Sequence, residues 1–220
     1  MKTLLALMLM LLSFASAARE VSSIGGYVDD VLGAKEGSGA RCYVSSSPTR
    51  PRGCRMSDVP SSRPRVFGAF LLDGVSRGYL FIIQRTSSGF SVEESNRFST
   101  EGVWGLDEMG ADSDDRFHIN FQHGSASTPT HDVYRFKLIG GQWRVVGRDH
   151  STMEYCSDGG IGSGTKYSAN YLTGKVVATI RKDCKYIRMN VHRVRFPPFH
   201  WETFDPFDEE LAPEHYGLTW

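Results

Sequence analysis

Past its first 17 residues the chain has no run approaching the roughly 20 consecutive apolar residues that a membrane-spanning helix needs. A membrane span is therefore not expected. The chain also lacks an excess of either charge: 25 Lys and Arg stand against 25 Asp and Glu. No long-range field draws such a chain to DNA or to an anionic membrane, which removes nucleic acid from the expected partners. There is no Walker loop, dinucleotide fingerprint, GxSxG or HExxH. His118 and His123 have a zinc-finger spacing but no CxxC pair beside them, so no metal and no cofactor is expected.

Absence of these signatures leaves a well-defined set of features. Of the 220 residues 40% are hydrophobic and 12% aromatic, enough for one globular domain with a buried core. The N-terminus reads as a cleaved signal peptide, with Lys2 as the positive segment, Leu4 to Phe14 as a short apolar core and Ala15-Ser16-Ala17 as a small-residue cleavage site. The mature chain is expected to begin at Ala18 and to work in the periplasm or as a secreted protein. Loss of Lys2 leaves 24 basic residues against 25 acidic ones. The cysteines at 42, 54, 156 and 184 are expected to pair in an oxidising compartment. Three connectivities exist; Cys42 with Cys54 and Cys156 with Cys184 keeps each bridge local and is the preferred one, at about 2–4 kcal/mol per bridge.

Residues 18–64 are broken repeatedly by Gly, Ser and Pro and read as an irregular N-terminal arm. Residues 65–196 read as a β domain. Val66 to Leu71 and Tyr79 to Gln84 flank a turn at Asp73-Gly74-Val75-Ser76 and form a first hairpin. In Asp132 to Asp149 the aromatics Tyr134 and Phe136 alternate with Val133, Arg135 and Lys137, Gly140-Gly141 turns the chain, and Trp143 and Val145 alternate with Arg144, Val146 and Arg148. A period of two predicts one aromatic face and one cationic face, with Arg148 among the cations. A third pair of strands spans Tyr167 to Ile180 around Thr173-Gly174-Lys175. A long strand runs from Lys185 to Phe196, with Ile187, Met189 and Val191 on one face, and Phe117 to Gln122 is a further candidate. The predicted class is all-β and mainly antiparallel, either a sandwich or a partly closed barrel or propeller-like sheet.

The segments FQHGSAS, VYRFKLIGGQWRVVGRDHS and YSANYLTGK, within Phe117 to Lys175, resemble a pattern in exported bacterial proteins that lack an assigned activity. There, a strand bearing GS leads to FR(Y/F), then G(F/W)xLxGxD and NxLTGK. The resemblance covers roughly a quarter of the chain and implies an envelope or secreted location and an all-β fold. It brings no catalytic residue. This chain departs from the pattern at Val146 and Arg148, where the family tends to have Ile and an aromatic residue. Trp143, Gly147, Asp149, Asn170 and Gly174 have structural roles available in burial, turns and loop hydrogen bonds.

Chemistry-bearing groups are sparse. In Asp149-His150-Ser151 neighbouring side chains on a strand point to opposite faces and cannot form a triad. Asp112, Asp114 and Asp115 do not continue into a calcium loop, because Phe117 and His123 replace its Gly and Glu. Glu93 or Glu94 with Asp107 or Glu108 remains a carboxylate pair that only folding could bring together. From Arg181 to Arg195 six Lys or Arg oppose a single acid, whereas Phe196 to Trp220 has six acids, four prolines and no Lys or Arg. The segment 197–220 is expected to pack on the β domain as an aromatic and acidic tail, with an exposed partner-binding strip as the alternative. Arg188, His192, Phe199 and Trp201 are the candidate binding residues. The leading expectation is an exported, non-enzymatic binding domain for an envelope or secreted protein or a polysaccharide, akin to an inhibitor or immunity factor. An exported carboxylate-dependent hydrolase of glycan or peptidoglycan is the alternative.

Overall fold

The computed structural model describes residues 19–21, 27, 40–44, 65–72, 77–100, 103–125, 128–153, 164–182 and 185–219. The proposed signal segment, Cys54, Cys156 and Cys184 lie outside these residues, as does the side chain of Cys42, so the cysteine pairing is not described.

Two open antiparallel sheets account for the fold, and neither closes into a barrel. The smaller contains β1 (Arg19–Val21), β2 (Ala40–Val44), β3 (Arg65–Leu72), β4 (Arg77–Arg85), β5 (Phe90–Glu94) and β6 (Phe98–Ser99). Its order is β1-β5-β4-β3-β2, with β6 against β4. The larger contains β7 (Val103–Ser113), β8 (Arg116–Ser125), β9 (Thr128–Ile139), β10 (Gln142–Thr152), β11 (Gly164–Asn170), β12 (Lys175–Lys182), β13 (Lys185–Arg193) and β14 (Phe199–His200). These run in sequence order from β13 to β7, and β14 pairs with β10. Three 3-10 turns, Trp201–Thr203, Glu209–Leu211 and Pro213–Tyr216, follow β14.

Alternation decides which residues meet between the sheets. Phe67, Ala69, Leu80 and Ile82 of the smaller sheet face Phe117, Ile119, Phe121, Tyr134, Phe136, Trp143 and Val145 of the larger one. Phe67 stacks on Phe117 at 4.4 Å between centroids, Phe117 stacks on Phe136 at 4.4 Å, and Trp143 meets Phe67 edge-on. Side chains of this size each contribute about 1.5–3 kcal/mol on full burial, so the layer of rings is the main source of cohesion. The apolar run in β4 is buried on both faces: Phe81 and Ile83 point away from the larger sheet, and the Tyr27 ring packs edge-on against Phe81.

The segment after β13 completes the interior. Its strand ends at Arg193, short of the expected Phe196, and Pro197-Pro198 carries the chain in extended form to β14 on the edge of β10. Trp201 then enters the core, 1% exposed, with edge-on contacts to Phe117 and Phe136. Phe204 packs against Phe98, Tyr134 and Phe136. The Tyr134 and Tyr171 hydroxyls donate to the carbonyls of Pro206 and Leu211 and fasten the segment over the larger sheet.

A single break in register exchanges the two faces of β10. Between Val145 and Gly147 the pairing of β10 with β9 slips by one residue, so Val146 is an extra residue in the strand. Before the bulge the odd-numbered Trp143 and Val145 face inward; after it the even-numbered Arg148 and His150 do. Arg148 is therefore not part of the cationic face that strict alternation predicted. It is 8% exposed and lies on the inward face of the larger sheet, over the rings of Tyr134 and Tyr167.

Candidate functional site

The inward turn of Arg148 assembles a charged cluster at one end of the core. Asp132 on β9 is 2% exposed and accepts from three side chains: Arg148 Nε at 2.7 Å, His150 Nδ1 at 2.9 Å and His123 Nε2 at 2.7 Å. Register explains the convergence, because His150 lies directly opposite Asp132 and Arg148 opposite Tyr134. The Arg148 guanidinium sits over the rings of Tyr134 and Tyr167 at 5.3 and 5.6 Å, and His150 stacks on Tyr167 at 4.8 Å. Burial alone would raise the Asp132 carboxyl. Hydrogen bonds from His123 and His150 and the charge of Arg148 outweigh that and hold it well below the usual carboxylate range. Burial raises the Tyr167 and Tyr171 hydroxyls, although Arg148 opposes the shift.

This cluster is built to hold charge still. Asp132 is acceptor-only, with two donors on Oδ1 and one on Oδ2, which suits a fixed anion and not a proton carrier. Phe207 of the C-terminal segment packs edge-on against His123 at 5.5 Å between centroids and leaves its side chain 22% exposed. Among the described residues no group of three or more His, Cys, Asp or Glu is placed to hold a metal ion.

The opposite, outward face of the larger sheet has a different character. There an open groove of about 600 Å³ crosses β8, β9, β10 and β11. Its walls include Asp112, Arg116, Arg135, Lys137, Ser168, Asn170 and the exposed Leu172, and Gly147 and Val146 of the bulge form part of its floor. Arg116 pairs in register with Lys137, and Lys137 with Arg144, so three cations stand abreast on neighbouring strands, with His200 of β14 next in the row. Adjacent strands are about 4.8 Å apart, and like charges so placed repel one another. One row away Arg135 pairs with Asp149, and Asp112 is hydrogen-bonded to His118 at 3.0 Å. Among the described residues no carboxylate is in ion-pair contact with Arg116, Lys137 or Arg144, and the Arg144 Nε is buried with no hydrogen-bond partner. The nearest influence is Asp115 in the β7–β8 turn, whose carboxyl is lowered first by the Ser113 hydroxyl and then by Arg116 and Lys137.

Ordered backbone frames the groove. Asn170 Oδ1 accepts from the amides of Leu172 at 3.1 Å and Thr173 at 3.0 Å, closing the turn between β11 and β12. Gly174 completes that turn at φ 72°, with the Val194 carbonyl oxygen 2.0 Å from where a Cβ would stand. Only glycine fits both constraints.

The binding residues expected from sequence do not converge. Trp201 is in the core. Phe199 is half-buried against Tyr171 and Phe196. His192 is half-buried on β13, and the side chain of Arg188 is outside the described ones. On that edge strand Met189 and Val191 are 70% and 58% exposed, so its apolar face looks to solvent. Of the carboxylates, Glu94 accepts from the Tyr27 hydroxyl at 2.7 Å, while Asp107 and Glu108 have undescribed side chains. Glu93 is raised by burial and by nearby Glu202, against a lowering influence of Arg65. Glu202 had no signal as its companion, since 109 residues separate the two.

No protein-family model matches this chain, and comparisons with curated proteins and with solved structures yield no match.

Proposed function

We propose that the chain is an exported, disulfide-stabilised, non-enzymatic β-sandwich that binds an envelope or secreted protein or glycan, as an inhibitor or immunity-type factor does, in the periplasm or outside the cell. The supporting observation is the row Arg116–Lys137–Arg144, without an ion-pair contact among the described residues, beside an open groove, set against a charged cluster whose members are committed to one another. A sheet that keeps three cations abreast without carboxylate partners sacrifices stability at a place where a ligand can restore it. The test is recovery of partners from an envelope extract under oxidising conditions by the parent and by a Lys137→Glu/Arg144→Glu variant. Partners held by the parent and released by the variant are the expected result; equal recovery, or no recovery by either, overturns the reading.

One observation favours a second reading, an exported hydrolase of glycan or peptidoglycan. Glu93 is a half-buried carboxyl raised by its surroundings with a second acid, Glu202, close by, which is the pairing that acid–base hydrolysis uses. Turnover of cell-wall substrate that is abolished by Glu93→Gln would establish it, and absence of turnover in the parent would remove it.

A further inference from the structure

We infer that the outward face takes a linear acidic polysaccharide whose anionic groups settle on Arg116 and Lys137 in the wall of the groove and on Arg144 beside it. This rests on the proposed binding role and assigns it a ligand class. The row runs across the strands, from β8 through β9 to β10, and all three are interior strands of the sheet. Their backbone groups are already committed to the ladder. A peptide that recognises a sheet through its own backbone lies along an edge strand instead, where N–H and C=O groups are open. Recognition in this groove therefore falls to side chains alone. The three cations repeat at the strand separation, about 4.8 Å, close to the advance of one sugar residue along an unbranched chain.

Lining chemistry points the same way. Arginine forks match carboxylate and phosphate geometry, and the amide of Asn170 stands on the same wall, next to a Ser168 hydroxyl that is bonded to Asp149. Since Asn170 Oδ1 is occupied by two backbone amides, the side-chain NH2 is what it presents to a ligand, suited to a sugar hydroxyl or ring oxygen. The bulge places Gly147, with no side chain, on the floor. Among the described residues the only ring lining the groove is that of Phe136, which is buried and unlike the exposed rings that anchor a protein interface. Neutral sugars would find no stacking platform either, so charge must carry the affinity.

The experiment is equilibrium titration of the mature full chain with polygalacturonate, inorganic polyphosphate, poly-L-glutamate and neutral dextran, at low and raised salt. The variants are Lys137→Gln/Arg144→Gln and, as a control far from the groove, Arg85→Gln. Polygalacturonate binding that weakens at least tenfold in the double variant, falls with salt and is unmoved by Arg85→Gln supports the inference. Melting temperatures matched to the parent certify the fold; if Arg144→Gln lowers the melting temperature, Arg116→Gln replaces it. Poly-L-glutamate binding as tightly as polygalacturonate overturns the glycan assignment in favour of an acidic protein. Binding of polyphosphate alone overturns it in favour of a phosphate polymer without sugar. If none of these polymers binds while the envelope extract still yields a groove-dependent partner, the ligand class fails and the binding reading stands.

Discussion

Arg148 Nε donates to Asp132 Oδ1 at 2.7 Å inside the sandwich, and this contact exists because one extra residue, Val146, turns the strand over before Arg148 is reached. Removing one member of a buried ion pair strands the other, at a cost of about 3–5 kcal/mol. Arg148→Met is expected to destabilise by that amount in urea or thermal unfolding. Adding Asp132→Asn to it should recover part of the loss, because the stranded charge is then gone.

Acid should find the same weak point. The folded-state carboxyl of Asp132 lies well below its unfolded value, so its contribution is complete above about pH 4 and is lost as pH falls through the depressed value. Thermal unfolding of the parent between about pH 5 and about pH 2 should show a steeper loss of melting temperature than that of Asp132→Asn. Parallel curves would show that the three donors do not favour the ionised form.

Deletion of Val146 is expected to be far more damaging than its replacement by Ala. Without the bulge, Arg148 and His150 move to the solvent face and Asp149 to the interior, while Asp132 loses two of its donors. The deletion variant should lose its cooperative thermal transition and its near-ultraviolet circular dichroism. Val146→Ala should melt close to the parent.

Trp201→Ala removes a ring that is 1% exposed and packed on Phe117 and Phe136, and should cost about 3–5 kcal/mol. Removing residues 197–219 takes away Trp201, Phe204 and Leu211 together, and the expected result is loss of the folded state. A melting temperature unchanged by either alteration would contradict the packing described.

Gly174→Ala demands a side chain at positive φ and against the Val194 carbonyl, with an expected cost of about 2–3 kcal/mol. Gly140→Ala also has positive φ, at 59°, but meets nothing within 4 Å. Its cost should be smaller, about 1 kcal/mol, and the difference between the two measures the carbonyl contact.

Much of the sheet was legible in the sequence. The hairpins at β3–β4, β9–β10 and β11–β12 carry period-two patterns bounded by turn residues, and each forms where the pattern places it. β7 was missed because Gly105 and Gly110 dilute its apolar signal and three register shifts interrupt its alternation. The inversion of Arg148 could not be read either: a bulge adds a residue without changing composition, and Val146 looks like any other strand valine. The edge strand β13 shows the reverse difficulty. Its Met189 and Val191 alternate as a buried face would, yet they point to solvent, because alternation marks two faces without saying which is covered. The Asp132 cluster joins β8, β9 and β10 through register alone, and the cationic row does the same on the other side, so neither has a local motif.

Fastening of the C-terminal segment has a bearing on how fast this protein matures. The Tyr134–Pro206 bond spans 72 positions and the Tyr171–Leu211 bond spans 40, so closing this layer of the interior joins parts of the chain that are far apart in sequence. Distant pairings of this sort put a chain among the slow folders, on the scale of milliseconds to seconds. Until that segment is seated, the rings of β8 and β9 that it packs against stand open, and a holding chaperone would find its surface there.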